Sequence, residues 1–274
     1  MKRKELAKKL SLIMLGGMLT LPCITPAVCM ADNGPKAAQA TEAKEEDPSA
    51  GIPETEEDDQ SATLKLSMQT YEKQYKTEEG SVYKEVSFAY PVAEGNSKAA
   101  QTLNKFYKNL LTKWKKTATE DLKEAEEMAK QTESADNYYS DQVTCKITSQ
   151  DDTYISVLQT GYDYTMGAHG MPYRYSYIFD AQTGKKVSAA KILGLSKKQL
   201  NDKVRKLYLK KFDQTVKEEN DLFYQDRKEV ETTLNRMDFN DNLYYLKNNK
   251  IRFYADPYAV GPYASGFIEV AVKL

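Results

Sequence analysis

The run Gly161-Tyr162-Asp163-Tyr164-Thr165-Met166-Gly167-Ala168-His169-Gly170-Met171-Pro172 sets the only histidine of the 274-residue chain in a glycine-flanked loop between two tyrosine-rich stretches. A neutral imidazole both donates and accepts hydrogen bonds, so His169 could contact a partner or act as a general base. Its structural reading is a side chain that fixes the loop through backbone hydrogen bonds. With no second histidine and no evident nucleophile, the structural reading is the stronger. A second run, Phe253 to Phe267, contains Asp256-Pro257-Tyr258, Gly261-Pro262-Tyr263 and Gly266. Proline and glycine shape such a loop, and tyrosine joins an apolar body to a polar tip, a combination favoured at recognition surfaces. Packing of the last strand on the core accounts for this run equally well.

Much other chemistry is excluded or unsupported. Zinc hydrolases place two or three imidazoles on the metal, and this chain has one His. A site built from His169 with Asp163 or Asp180 matches no metal spacing. No Gly-x-Ser-x-Gly elbow is present, and a Ser–His–Asp triad stays open only because Ser and Asp are plentiful. No carboxylate pair for glycoside cleavage can be singled out. The expectation is a chain without metal or cofactor, and not an enzyme. The alternative is a cell-wall hydrolase or esterase using His169 as general base.

The composition, 41% hydrophobic and 29% charged, is that of a globular protein. The 39 basic and 40 acidic residues nearly cancel, which argues against a nucleic-acid partner. That balance sums three unlike segments. Residues 1–31 begin with Lys2, Arg3, Lys4, Lys8 and Lys9, continue through the apolar stretch Leu10 to Leu21, and reach Cys29-Met30-Ala31. They read as a secretory signal peptide cut after Ala31, or, if retained, a membrane anchor. A lipoprotein is the least favoured reading, since Pro22 and Val28 precede the two cysteines. Residues 32–62 have ten acidic residues, two lysines and no aromatic residue. They read as a disordered spacer. Residues 63–274 hold every aromatic residue and carry a charge of about +3. Cys145 is the one cysteine left after removal of residues 1–31, so it reads as a buried, unpaired thiol.

These residues need elements to hold them. Alternation predicts strands over residues 63–76 and 82–93, joined as a hairpin, with Leu64, Leu66, Met68 and Thr70 on one face. Asn96-Ser97 offers an N-cap, and apolar residues at three- and four-residue steps predict one helix over residues 97–131, with Trp114 on its core stripe and a Lys- and Glu-rich outer side. Strands follow over 138–148, 153–165 and 173–179. Ser196 to Gln199 forms a capping box. It opens a helix with Leu200, Val204, Leu207, Phe212 and Val216 inward and a lysine-rich opposite face, which is either solvated or a platform for anionic wall polymer. A helix over 227–236 and strands over 242–246, 250–255 and 265–273 complete the chain. The order predicts an α+β fold, with antiparallel sheets on a long amphipathic helix and a helix pair in the C-terminal part.

Several motifs together resemble a known pair of modules. Tyr164 to Gly170, Phe179-Asp180 with Thr183-Gly184-Lys185, and Pro257-Tyr258, Pro262-Tyr263 and Gly266-Phe267 resemble a C-terminal module. Tyr90-Pro91 and Asn96 to Asn104 with the long helix resemble the smaller module that precedes it. Both are similar to the extracellular region of RsiV-type anti-sigma factors, which are receptors for lysozyme, and to modules ahead of the catalytic domain in PdaC-type peptidoglycan deacetylases. The expected organisation is a signal peptide (1–31), a linker (32–62), a hairpin-and-helix module (63–135) and an RsiV-like module (136–274). With nine residues ahead of Leu10 and one histidine, neither an anti-sigma nor a deacetylase effector domain is expected. The resemblance implies a secreted or envelope protein of a bacterium that binds a lysozyme-like muramidase or cell-wall glycan. Residues Tyr164, Gly167, Ala168, His169, Gly170, Pro257, Tyr258, Pro262, Tyr263 and Gly266 are its candidate contacts. Membrane contact is expected only through an uncut N-terminal segment.

Overall fold

A computed structural model describes residues 63–131 and 138–274. The signal peptide, the acidic spacer and the 135/136 module boundary all lie outside the described residues. The C-terminal unit of the chain spans Gln60–Leu274. Its strands are β1 (Leu66–Lys76), β2 (Val82–Ala93), β3 (Tyr139–Gln150), β4 (Tyr154–Tyr164), β5 (Met171–Asp180) and β6 (Lys186–Val187), which form one sheet in sequence order. A second sheet holds β7 (Tyr244–Lys247), β8 (Lys250–Ala255) and β9 (Ile268–Lys273). The fold is α+β, with mostly antiparallel pairing. One pair departs from the expectation: β2 and β3 run parallel, with Lys84 opposite Tyr139 and Phe88 opposite Val143. Parallel neighbours need a long crossover, and here two helices supply it.

Those helices are α1 (Lys98–Ala118) and α2 (Leu122–Gln131), where the sequence pattern predicts one. Ser97 caps α1 by accepting from the Ala100 N–H. At the far end the Thr119 hydroxyl bonds back to the Lys115 and Lys116 carbonyls, competing with the helical ladder. Asp121 then accepts Lys84 from β2 in an ion pair, with the Lys84 side chain only 1% exposed. The apolar periodicity runs through this break, but a buried ammonium on the sheet requires a carboxylate at that spot.

The alternation on β4 and β5 sends side chains to two cores. Ile155, Val157, Tyr177 and Phe179 pack under α1 with Leu103 and Tyr107. Ile178 faces the other way, into a core with α4 (Lys197–Lys217), α5 (Arg227–Arg236) and the second sheet. The even-numbered serines carry hydrogen bonds across that face. The Ser156 hydroxyl accepts from the Leu246 N–H at 2.9 Å, and Ser176 pairs with the Tyr254 hydroxyl at 2.9 Å. A short helix, α3 (Ala189–Ile192), links β6 to α4.

Smaller differences follow from burial. Leu64 is buried ahead of β1, and on β1 Leu66, Tyr71 and Tyr75 pack against the cores while Met68 is 45% exposed, because β1 is an edge strand. Trp114 is buried against Phe88, at 4.8 Å between ring centroids. The capping box at Ser196 and Gln199 forms as expected. In α4, Tyr208 takes the inward place after Val204, whereas Val216 is 57% exposed near the C-terminus of the helix. Cys145 is half-buried and unpaired, and burial pushes its thiol up to about 12.

Candidate functional site

The two sequence runs singled out for chemistry meet. Loop 165–170 joins β4 to β5, and loop 256–267 joins β8 to β9 with a single 3₁₀ turn at Tyr263–Ser265. The His169 ring stacks on the Tyr263 ring, with centroids 4.0 Å apart and planes 23° apart. Tyr258 lies beside both, 5.5 Å from the Tyr263 centroid and 6.5 Å from that of His169. An exposed imidazole and two half-buried phenols thus form one patch.

Gly170 is the hub that holds it. Its N–H donates to the Tyr162 hydroxyl at 2.7 Å. Its carbonyl accepts from the Tyr263 hydroxyl at 3.0 Å and from His169 Nδ1 at 3.0 Å. Because a carbonyl can only accept, the proton of a neutral His169 sits on Nδ1. Nε2 is then the acceptor facing the Tyr258 hydroxyl, a long contact of 3.4 Å. The position also requires glycine. A Cβ there would lie 2.6 Å from the Tyr162 ring and 2.7 Å from the Asp163 carbonyl oxygen. Burial and the neighbouring Tyr162 hydroxyl raise the pKa of Tyr263.

The remaining candidates divide between wall and frame. Gly167 and Ala168 are exposed at the loop tip, and the Tyr164 hydroxyl donates to the Gly167 carbonyl at 3.3 Å. Pro257 is buried, Pro262 precedes the 3₁₀ turn, and Gly266 ends it at φ 59°. Two non-glycine residues adopt left-handed backbone here, Met166 (φ 60°) and Tyr258 (φ 64°). Such conformations are uncommon and persist only where surrounding contacts enforce them.

Among the described residues, His169 hydrogen-bonds with the Gly170 carbonyl and the Tyr258 hydroxyl. Among the described residues no group of three His, Cys, Asp or Glu is placed to hold a metal. Asp180 is a turn residue. Its carboxylate accepts from the Thr183 N–H and hydroxyl, which lets Gly184 (φ +64°) approach the Ala99 carbonyl on α1.

Sequence reasoning missed one cluster beside the patch. Glu269 on β9 accepts from Arg174 at 2.7 Å and from the Tyr245 hydroxyl at 3.0 and 3.1 Å, with Arg252 at 3.7 Å. Arg174 also lies over the Phe267 ring at 3.9 Å. This cluster ties β5 to the second sheet below the two loops. Its members are spread over 95 positions, so no spacing rule finds them.

A family model described as "Deacetylase PdaC" matches residues 76–172, and one described as "Protein of unknown function (DUF3298)" matches residues 194–274. The chain therefore carries a PdaC domain followed by a DUF3298 domain, the module pair its motifs resemble. No curated protein matches it by sequence. Solved structures similar to it include a DUF3298-family protein from Bacteroides fragilis, at 17% identity and TM-score 0.48 over 78% of this chain and 91% of that one. Another is a DUF3298-family protein from Pseudomonas aeruginosa, at 17% identity and TM-score 0.47 over 78% and 92%.

Proposed function

We propose that this protein is an extracytoplasmic, envelope-associated binding protein of a bacterium, and that the His169–Tyr258–Tyr263 patch engages a lysozyme-like muramidase. The PdaC and DUF3298 domains support an extracellular, envelope-related role. The observation that carries the binding reading is the convergence of two loops 89 residues apart on one stacked aromatic surface, fixed through the backbone of Gly170. Recognition surfaces are rich in tyrosine, and loops held in advance spend little entropy on ordering when they bind. Among the described residues no helix is long and apolar enough to cross a membrane. A hydrolase reading draws no support from the neighbours of His169.

Calorimetry of the full chain against a lysozyme, with soluble peptidoglycan fragments as the second titrant, tests this. Lysozyme should bind with one site. His169→Ala and Tyr258→Ala should each weaken binding by about tenfold or more with an unchanged melting temperature, the behaviour of residues at the centre of an interface. Binding of the fragments alone would move the assignment to wall glycan. Binding of neither would overturn it.

A further inference from the structure

The cleft between the β1–β2 hairpin and α1 lies far along the chain from the loop patch and has its own chemistry. Its volume is about 350 Å³, and its walls include Gln69, Tyr90, Asn104, Tyr107, Lys108 and Leu111. That volume lies within the range of small-ligand sites, which are mostly apolar with a few placed polar groups. The Tyr90 hydroxyl donates to Gln69 Oε1 at 3.1 Å, which orients the Gln69 amide so that its N–H groups remain for another acceptor. The Asn104 amide is committed on both sides to the Ala93 backbone, so it shapes the wall and does not recognise a ligand. Tyr107 is fully buried, and its hydroxyl has no hydrogen-bond partner among the described residues.

Charge decides what the cleft suits. Helix α1 carries Lys98, Lys105, Lys108, Lys113, Lys115 and Lys116 and no acidic residue, and Glu72 on β1 and Glu85 on β2 lie outside the lining of the cleft. Asn104, Lys108, Leu111 and Lys115 fall at successive helical turns, so Lys115 extends the same stripe. Its ammonium sits 3.4 Å from the centroid of the Tyr71 ring, two residues along β1 from Gln69 and on the same face. Phenol rings, an amide and two ammonium groups in line match the ring faces, hydroxyls and carboxylates of an acidic sugar chain. No acidic side chain lines the cleft.

We infer that this cleft binds a carboxylate-bearing oligosaccharide, with Tyr90 packing on a sugar ring, Gln69 meeting a hydroxyl, and Lys108 and Lys115, the latter held over the Tyr71 ring, pairing with carboxylates. The site is separate from the loop patch and does not depend on the muramidase reading.

Titration of the ¹⁵N-labelled full chain with tetra-β-1,4-glucuronate and, in parallel, with cellotetraose tests this, because the two probes share a backbone and differ in the carboxylates. Glucuronate should bind and shift amides of β1 and α1, and cellotetraose should bind about tenfold more weakly or not at all. Lys108→Gln combined with Lys115→Gln should remove that preference. Gln69→Ala, at an exposed edge position, should weaken both probes. His169→Ala should leave the titration unchanged while weakening any lysozyme binding, so failures at the two sites can be told apart. No binding, equal affinity for both probes, or full retention of the preference in the double lysine variant would overturn the assignment.

Discussion

Gly170 shows how one residue with no side chain can set a surface. Its backbone satisfies three side chains, Tyr162, Tyr263 and His169, and its missing Cβ leaves room for the first of them. Gly170→Ala should therefore destabilise the protein by about 1–3 kcal/mol, the range for forcing an extra methyl into a packed position. A melting temperature lower by a few degrees, with loss of the lysozyme response, is the expected outcome. A variant as stable as the parent would show that the Tyr162 ring can move aside at little cost. The sequence made His169 and the glycines around it legible as a site, because their types stand out in a short run. It did not make the partner loop legible as a neighbour, since the 89-residue separation between His169 and Tyr258 is closed only by the packing of the second sheet against the first.

At the scale of elements, strand and helix positions were read well wherever alternation or a cap marked them. α5 and β8 fall on the expected residues, and the turn between β7 and β8 uses Asn248 and Asn249 at positive φ. The break between α1 and α2 escaped the reading because it answers to a residue on another element. Lys84 is buried, and Asp121 is its counter-charge. Removing one partner of a buried pair typically costs about 3–5 kcal/mol, whereas replacing both with apolar residues of similar size is often neutral. Asp121→Ala should thus fall near the lower end of that range, given the partial exposure of Asp121, and Lys84→Met with Asp121→Leu should recover most of the loss in urea unfolding. The basic face of α4 is a second such lesson. Arg205 donates to the Leu234, Asn235 and Met237 carbonyls at the end of α5, Lys197 pairs with Asp238, and Lys211 donates to the Glu269 carbonyl. Much of that row therefore fastens neighbouring elements. Only the tertiary contacts show that, because a lysine that caps a strand and one that faces water look alike in a sequence.

For the molecule as a whole, β4 and β5 form a wall common to two cores. The core under α1 and the core around the second sheet draw on alternate side chains of the same strands, so neither keeps its packing if the other is lost. Calorimetry should accordingly show one transition for residues 63–274 within the full chain, with equal calorimetric and van't Hoff enthalpies. Two resolved transitions would mean that the cores unfold separately. This arrangement was hidden in the sequence, where β5 reads as tyrosines alternating with Ser176 and Ile178 and either set could have faced water.

The same wall has a kinetic corollary. Loop 165–170 springs directly from the ends of β4 and β5, and β4 is paired along its length with β3 on one side and β5 on the other. The amide protons of β4 should be among the slowest in the chain to exchange with deuterated solvent, while those of the edge strand β1 go early. The aromatic patch is then anchored at the end of a strand shared by both cores and fixed through Gly170, so a partner that meets it finds its shape already made.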